Sequence, residues 1–199
     1  FPSGEPASDW FAMAHDGGPV RAFNRRMPAF GEALTTAEIE RTIDYVRGLC
    51  ADPAWPRGEL NLPRALVTEK AYPEDEAVVT AIVDSGAAPG VTQQFLYERR
   101  IGARSQYEIG VPFALRQSAT GGWQRGLGDI QVALKHVLGH SLERGSIFSV
   151  ATEVLLPTGK EAQGLGKGVT VVEPFLPFGQ LLRSNVFLDA QAGGELSTD

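Results

Sequence analysis

From Glu76 to the end of the chain, apolar and polar residues alternate with a period of two, and this restricts the fold to antiparallel sheet more tightly than any other feature. Tyr107, Ile109, Val111, Phe113 and Leu115 point one way, while Gln106, Glu108, Gly110 and Arg116 point the other. Ile130, Val132, Leu134 and Leu138 alternate with Gln131, Ala133 and Lys135, and Phe148, Val150 and Val154 alternate with Ser149, Ala151 and Glu153. Val169, Val171 and Phe175 share a face on which Glu173 intrudes. The pattern predicts seven strands, near 77–85, 91–102, 106–116, 128–138, 146–156, 169–179 and 185–196.

The connections carry a second signal. They run short at 103–105, 139–145 and 180–184, and long at 117–127 and 157–168. Outer-membrane barrels alternate short periplasmic turns with long outer loops in this way, and their tilted strands are ~9–11 residues long. If the strand at 77–85 starts on the periplasmic side, both long loops fall outside. Seven strands do not close a typical bacterial barrel, so an open sheet with an unpaired edge is expected.

Before Glu76 the character of the chain changes twice. Residues 1–30 are rich in glycine and proline around a short amphipathic stretch at Trp10-Phe11-Ala12-Met13. A helix then follows, with Thr35 and Glu38 spaced as a capping box and Leu34 and Ile39 at the staple positions. Ile39, Ile43, Val46 and Cys50 form its buried stripe, and Gly48 predicts an early end. Residues 51–76 hold Pro53, Pro56, Pro63 and Pro73, a density that predicts an extended, semi-rigid linker. The fold class expected is α+β in two modules: a small helical unit over 1–50, the linker over 51–76, and an antiparallel β-meander forming part of a barrel over 77–199.

Composition sets few bounds. A hydrophobic content of 43 % over 199 residues describes a folded chain, and 18 basic against 24 acidic residues argues against a nucleic-acid partner. Cys50 is the only cysteine, so neither an internal disulfide nor a cysteine-held metal is available. No run approaches the ~20 apolar residues of a membrane-spanning helix. A start on Phe1 and alternation still running at the C-terminus suggest an interior piece of a longer protein.

Two family resemblances meet here. Gly17-Gly18-Pro19-Val20-Arg21, Met27-Pro28-Ala29-Phe30-Gly31, Leu34-Thr35 with Glu38-Ile39, and Tyr45-Val46-Arg47 resemble the C-terminal half of a class I c-type cytochrome over residues 9–50. The resemblance implies haem c as cofactor, with Met27 as the distal axial ligand of its iron. A soft, neutral thioether favours ferrous iron and raises the potential, which suits electron transfer. Arg21 and Arg47 would face the haem propionates, although a position in the last helical turn explains Arg47 equally well. The chain departs from the family in having no Cys-x-x-Cys-His, so covalent attachment and the proximal histidine would lie upstream of Phe1.

From about residue 92, Gly126-Leu127-Gly128-Asp129-Ile130, Leu156-Pro157-Thr158-Gly159-Lys160 and Glu173-Pro174-Phe175 resemble an outer-membrane barrel group associated with phenol-degradation gene clusters. Together the resemblances imply a periplasmic haem domain tethered to an outer-membrane barrel in a Gram-negative envelope. Its partners would be outer-membrane lipid and a redox protein or extracellular electron donor or acceptor. The rival expectation is a channel or scaffold without redox activity. A soluble antiparallel β-domain with a helical appendage is the third possibility, tested by partition into detergent.

No catalytic constellation stands out, and an electron carrier is expected in place of an enzyme. His15 reads as an exposed loop histidine, and His136 and His140 as a strand and a turn residue whose spacing is coincidental. Glu98, Arg99, Arg100 and Arg104 are expected to line the barrel wall or its rim. Gly126-x-Gly128 and Gly164-x-Gly166-x-Gly168 lack the strand–helix setting of a phosphate loop.

Overall fold

The computed structural model describes residues 4–21, 26–49, 52, 54–65, 67–86, 89–118, 121–183 and 186–198. Two short helices, α1 (Ala7–Asp16) and α2 (Thr36–Gly48), precede an antiparallel sheet. The strands are β1 (Glu76–Asp84), β2 (Gly90–Ile101), β3 (Ser105–Gln117), β4 (Trp123–Leu127), β5 (Ile130–Ser141), β6 (Ser146–Leu156), β7 (Val171–Arg183), β8 (Val186–Gly193) and β9 (Leu196–Ser197). The main path runs β1-β2-β3-β5-β6-β7-β8, every pair antiparallel, and curls into half a barrel. All seven predicted strands are present.

The short strand β4 was not expected. It pairs with β3 between Phe113 and Gln117, inside the stretch read as one long loop over 117–127. Beyond this pairing Ser118 N–H donates to Gly122 C=O at 2.6 Å, and Gly121 stands at φ 89°, where a Cβ would be strained. The contrast between short and long connections is therefore weaker on this side. His140 also differs from expectation, because β5 runs on to Ser141.

The loop over 157–170 remains long but is firmly tied. Asp129 accepts from Gly159 N–H at 2.9 Å and Lys167 N–H at 2.6 Å. Thr158 Oγ1 donates to Gly128 C=O and accepts from Ile130 N–H, both at 2.9 Å. The two motifs around Gly128-Asp129 and Thr158-Gly159 thus meet in space and build one loop junction.

Which face of the sheet is buried runs against the usual rule. On β5, Leu134 is 60 % and Leu138 50 % exposed, whereas Lys135 is 6 % exposed and Val137 fully buried. Ile109, Phe113 and Leu115 of β3 are outside, while Gln106 and Glu108 are inside. Many large apolar side chains cover the convex face, while the concave face mixes Gln106, Glu108 and Lys135 with Leu96, Val137, Ile147 and Phe175.

The proline-rich segment accounts for that lining. It takes a 3-10 turn over Gly58–Leu60 and packs into the hollow of the curled sheet. Leu60, Ala71 and Tyr72 form the core with Val137 and Ile147. Backbone groups in such a segment have no ladder partners and must find others. Here the wall supplies them. Ser149 Oγ donates to Ala71 C=O at 2.5 Å, and Lys135 Nζ to Tyr72 C=O at 3.3 Å. Gln106 Oε1 accepts from Glu74 N–H at 2.7 Å, and Gln191 Oε1 from Glu69 N–H at 2.8 Å. Tyr72 anchors the segment, its hydroxyl reaching Pro56 C=O at 3.0 Å.

Candidate functional site

Two places gather the chemistry: the methionine loop on α1, and the polar lining of the half-barrel. In the first, the residues singled out by sequence are brought together through their backbones. Gly18 N–H donates to Met27 C=O at 2.9 Å, Phe30 N–H to Ala14 C=O at 3.0 Å, and Gly31 N–H to His15 C=O at 3.0 Å. The loop carrying Met27 is thereby fastened along the C-terminal end of α1. Gly17 sits at φ 83°, and a Cβ there would lie 2.8 Å from Ala29 N, so only glycine permits this approach. Met27 itself is half-buried.

Behind the loop, α2 begins as expected. The Glu38 carboxylate accepts from Thr35 N–H at 2.9 Å and Thr35 Oγ1 at 2.8 Å, and the Thr35 N–H bond holds its pKa below the usual glutamate value. Ile39 and Ile43 are buried, Val46 is half-buried, and Cys50 lies outside the described residues. The side chain of Arg21 likewise lies outside them, its backbone closing a 3-10 turn over Gly18–Arg21. Arg47 ties α2 to the proline-rich strap: Nη2 donates to Glu59 Oε2 at 2.9 Å, and the guanidinium lies 5.9 Å from the Trp10 ring. His15 is in the last turn of α1, not a loop, pairing with Asp16 at 2.7 Å and stacked on Phe11.

What is formed here is the backbone fastening of the Met27 loop, and the sequence holds no Cys-x-x-Cys-His.

The lumenal lining was hidden in the sequence. The register places Glu76 opposite Glu98, Glu98 opposite Glu108, Glu108 opposite Ala133, Ala133 opposite Glu153, and Glu153 opposite Glu173. One row across six strands thus carries five glutamates interrupted by a single alanine. The next row holds Arg100, Gln106 and Lys135, a cationic tier beside the acidic one. Arg100 stacks 3.8 Å from the Trp55 ring centre and 4.8 Å from that of Tyr72. Gln94 Nε2 donates to Gln131 Oε1 at 3.2 Å, and Gln131 Nε2 to Glu108 Oε1 at 2.8 Å, across the space left by Gly110.

Paired carboxylates are not evident in the sequence, because cross-strand pairs depend on the turn. A hairpin centred at 103 sets opposite each other residues whose numbers sum to 206, as Ile101 with Ser105 and Glu98 with Glu108. Recognising the turn at 102–104 first would have exposed the pair.

Crowding the acids in a partly dry space raises their pKa values. Burial, then Glu74 and Glu108, push Glu98 up to about 8. Burial, followed by Glu69, also raises Glu108. Burial, then Glu173, Glu108 and Glu69, push Glu153 up to about 7 against a weaker pull from Lys167. A carboxyl whose folded pKa lies above its unfolded value of 4.5 binds an extra proton in the folded state. Its contribution therefore falls as pH rises from the unfolded value through about 7, and returns on acidification. Glu153→Gln should flatten that slope and stabilise the protein at pH 8 by on the order of 1 kcal/mol, allowing for partial exposure. Urea midpoints measured from pH 5 to pH 8 check this; parallel curves for both proteins would show a solvated carboxylate.

The chain matches no protein-family model and no curated protein sequence. The fold itself defines the class: a curled antiparallel half-barrel with an apolar outer face and a strap-filled interior of mixed polarity.

Proposed function

We propose that this chain is the wall of an outer-membrane β-barrel bearing a periplasmic helical module, and that the module serves electron transfer through a c-type haem. The inverted burial on β5 carries the barrel part. Leucines turned outward and a lysine turned inward suit lipid outside and a polar lumen inside. Aromatic side chains support it. Tyr97 and Tyr107 pair near the 102–104 turn, ring centres 6.2 Å apart, and Trp123 stands opposite Gln117 at the other end of β3. From Tyr107 to Gln117 is about 33 Å of strand, or about 25 Å at a ~40° tilt, the height of a barrel's apolar band. The proline-rich strap enters at the short-turn end, where Arg104 Nε donates to Ala54 C=O at 3.3 Å.

The backbone-fastened Met27 loop supports the haem part. Bound haem would supply one-electron iron chemistry. The chain's own task would be to hold the Met27 sulfur at the distal position, while Ile39 and Ile43 keep α2 packed and limit water. Met27→Ala in the full-length protein should lower the haem potential by on the order of 100 mV or more, read by redox titration. An unchanged potential would remove Met27 from the site.

One observation favours the second possibility, a channel or scaffold without redox activity. Arg47 is engaged by Glu59, so the helical module serves as a clasp on the strap whether or not haem is present. Haem-independent solute flux in liposomes would support that alternative, and strictly haem-dependent redox activity would oppose it.

A further inference from the structure

Glu74, Glu76 and Glu98 meet where the strap leaves the lumen and becomes β1. Each offers a carboxylate oxygen within 4.8 Å of the others. Glu98 is 3 % exposed, yet its Oε2 is buried and receives no hydrogen bond. A buried carboxylate oxygen without a donor carries a desolvation cost that a missing partner would relieve. The other oxygen, Oε1, accepts from Gln106 Nε2. Gln106 is fully enclosed, and its Oε1 takes the Glu74 N–H, so a single amide positions two of the three acids. Lys70 neutralises part of the cluster by pairing with Glu74 at 2.6 Å. With a cation bound and all three carboxyls ionised, three carboxylates and one ammonium carry a local charge of −2, the complement of one divalent cation.

We propose that Glu74, Glu76 and Glu98 form a calcium site that pins the strap to the first two strands. All-oxygen carboxylate donors suit hard cations. Calcium tolerates the irregular geometry of one strap residue and two strand residues, whereas magnesium demands a near-ideal octahedron. Glu76 is exposed and gives the ion its way in. Gln106 is the positioning residue that orients the ligands. The site needs neither haem nor lipid, so it stands or falls separately from the proposed function.

The test is isothermal titration of the full-length, chelator-stripped protein with calcium chloride, alongside its thermal unfolding. One calcium per chain and a raised Tm are expected. Glu76→Gln, at an exposed position where folding is safe, should weaken binding about tenfold or more, and Glu98→Gln likewise. Glu173→Gln, in the same acidic row but remote from the cluster, should leave binding unchanged. Absence of calcium binding to the native protein would overturn the proposal. So would equal binding by Glu76→Gln, or an equal loss in Glu173→Gln, which would mark diffuse attraction to the acidic lining. Binding of magnesium without calcium would overturn the assignment of the ion.

Discussion

Leu134→Arg is expected to destabilise the protein by about 2–4 kcal/mol in a bilayer, the cost of a cationic side chain at the midplane of a barrel's lipid face. Leu134 lies midway along the central strand β5 and is mostly exposed. Were that face in water, an arginine there would change stability by about 0.5 kcal/mol or less, as surface substitutions usually do. The two environments therefore give different answers to one substitution. Reversible urea unfolding from lipid vesicles reads the difference. Arginine at Ile101, near the 102–104 turn, should cost less, because the penalty fades toward the interface. A flat response at both positions would leave the sheet as a soluble domain and end the membrane assignment.

Tyr72→Ala should cost about 3–5 kcal/mol, since it empties the centre of the strap's packing. The ring is 1 % exposed and lies under the Arg100 guanidinium, with its hydroxyl bonded to Pro56 C=O. Tyr72→Phe isolates the hydroxyl and should cost only about 1 kcal/mol. Trypsin offers a local readout beside global unfolding, because Arg64 and Lys70 lie on the strap and should become cleavable when it detaches. A cost for Tyr72→Ala below about 1 kcal/mol would mean that the strap is an accessory and the wall is stable alone.

The strands were legible because alternation is a local signal. Their sidedness was legible too: the grouping of Gln106, Glu108 and Gly110 against Ile109 and Phe113 matches the two faces of β3. What eluded sequence depends on distant pairing. β4 is five residues long and holds Gly126, so its alternation is too brief to separate from a loop. Leu60, Leu62, Ala71 and Tyr72 have no common period, and only the sheet wrapped around them shows that the prolines stiffen a filling and not a spacer. The acidic row is invisible until each hairpin register is known. At the methionine loop, the contact of Gly17 with Ala29 gives the glycine pair a physical reason, while no structural signal bears on iron ligation.

The strap also dictates an order of assembly. Its Glu69 is held by Gln191 on β8, 122 residues later, and its Ala71 by Ser149 on β6, 78 residues later. Contacts so distant in sequence form late and slowly, since the loop must close before the bond repays it. The earliest part of the β-module is therefore the last to be secured. The chain must keep this segment loose until the closing strands arrive, and until then the half-curled sheet stands without its centre.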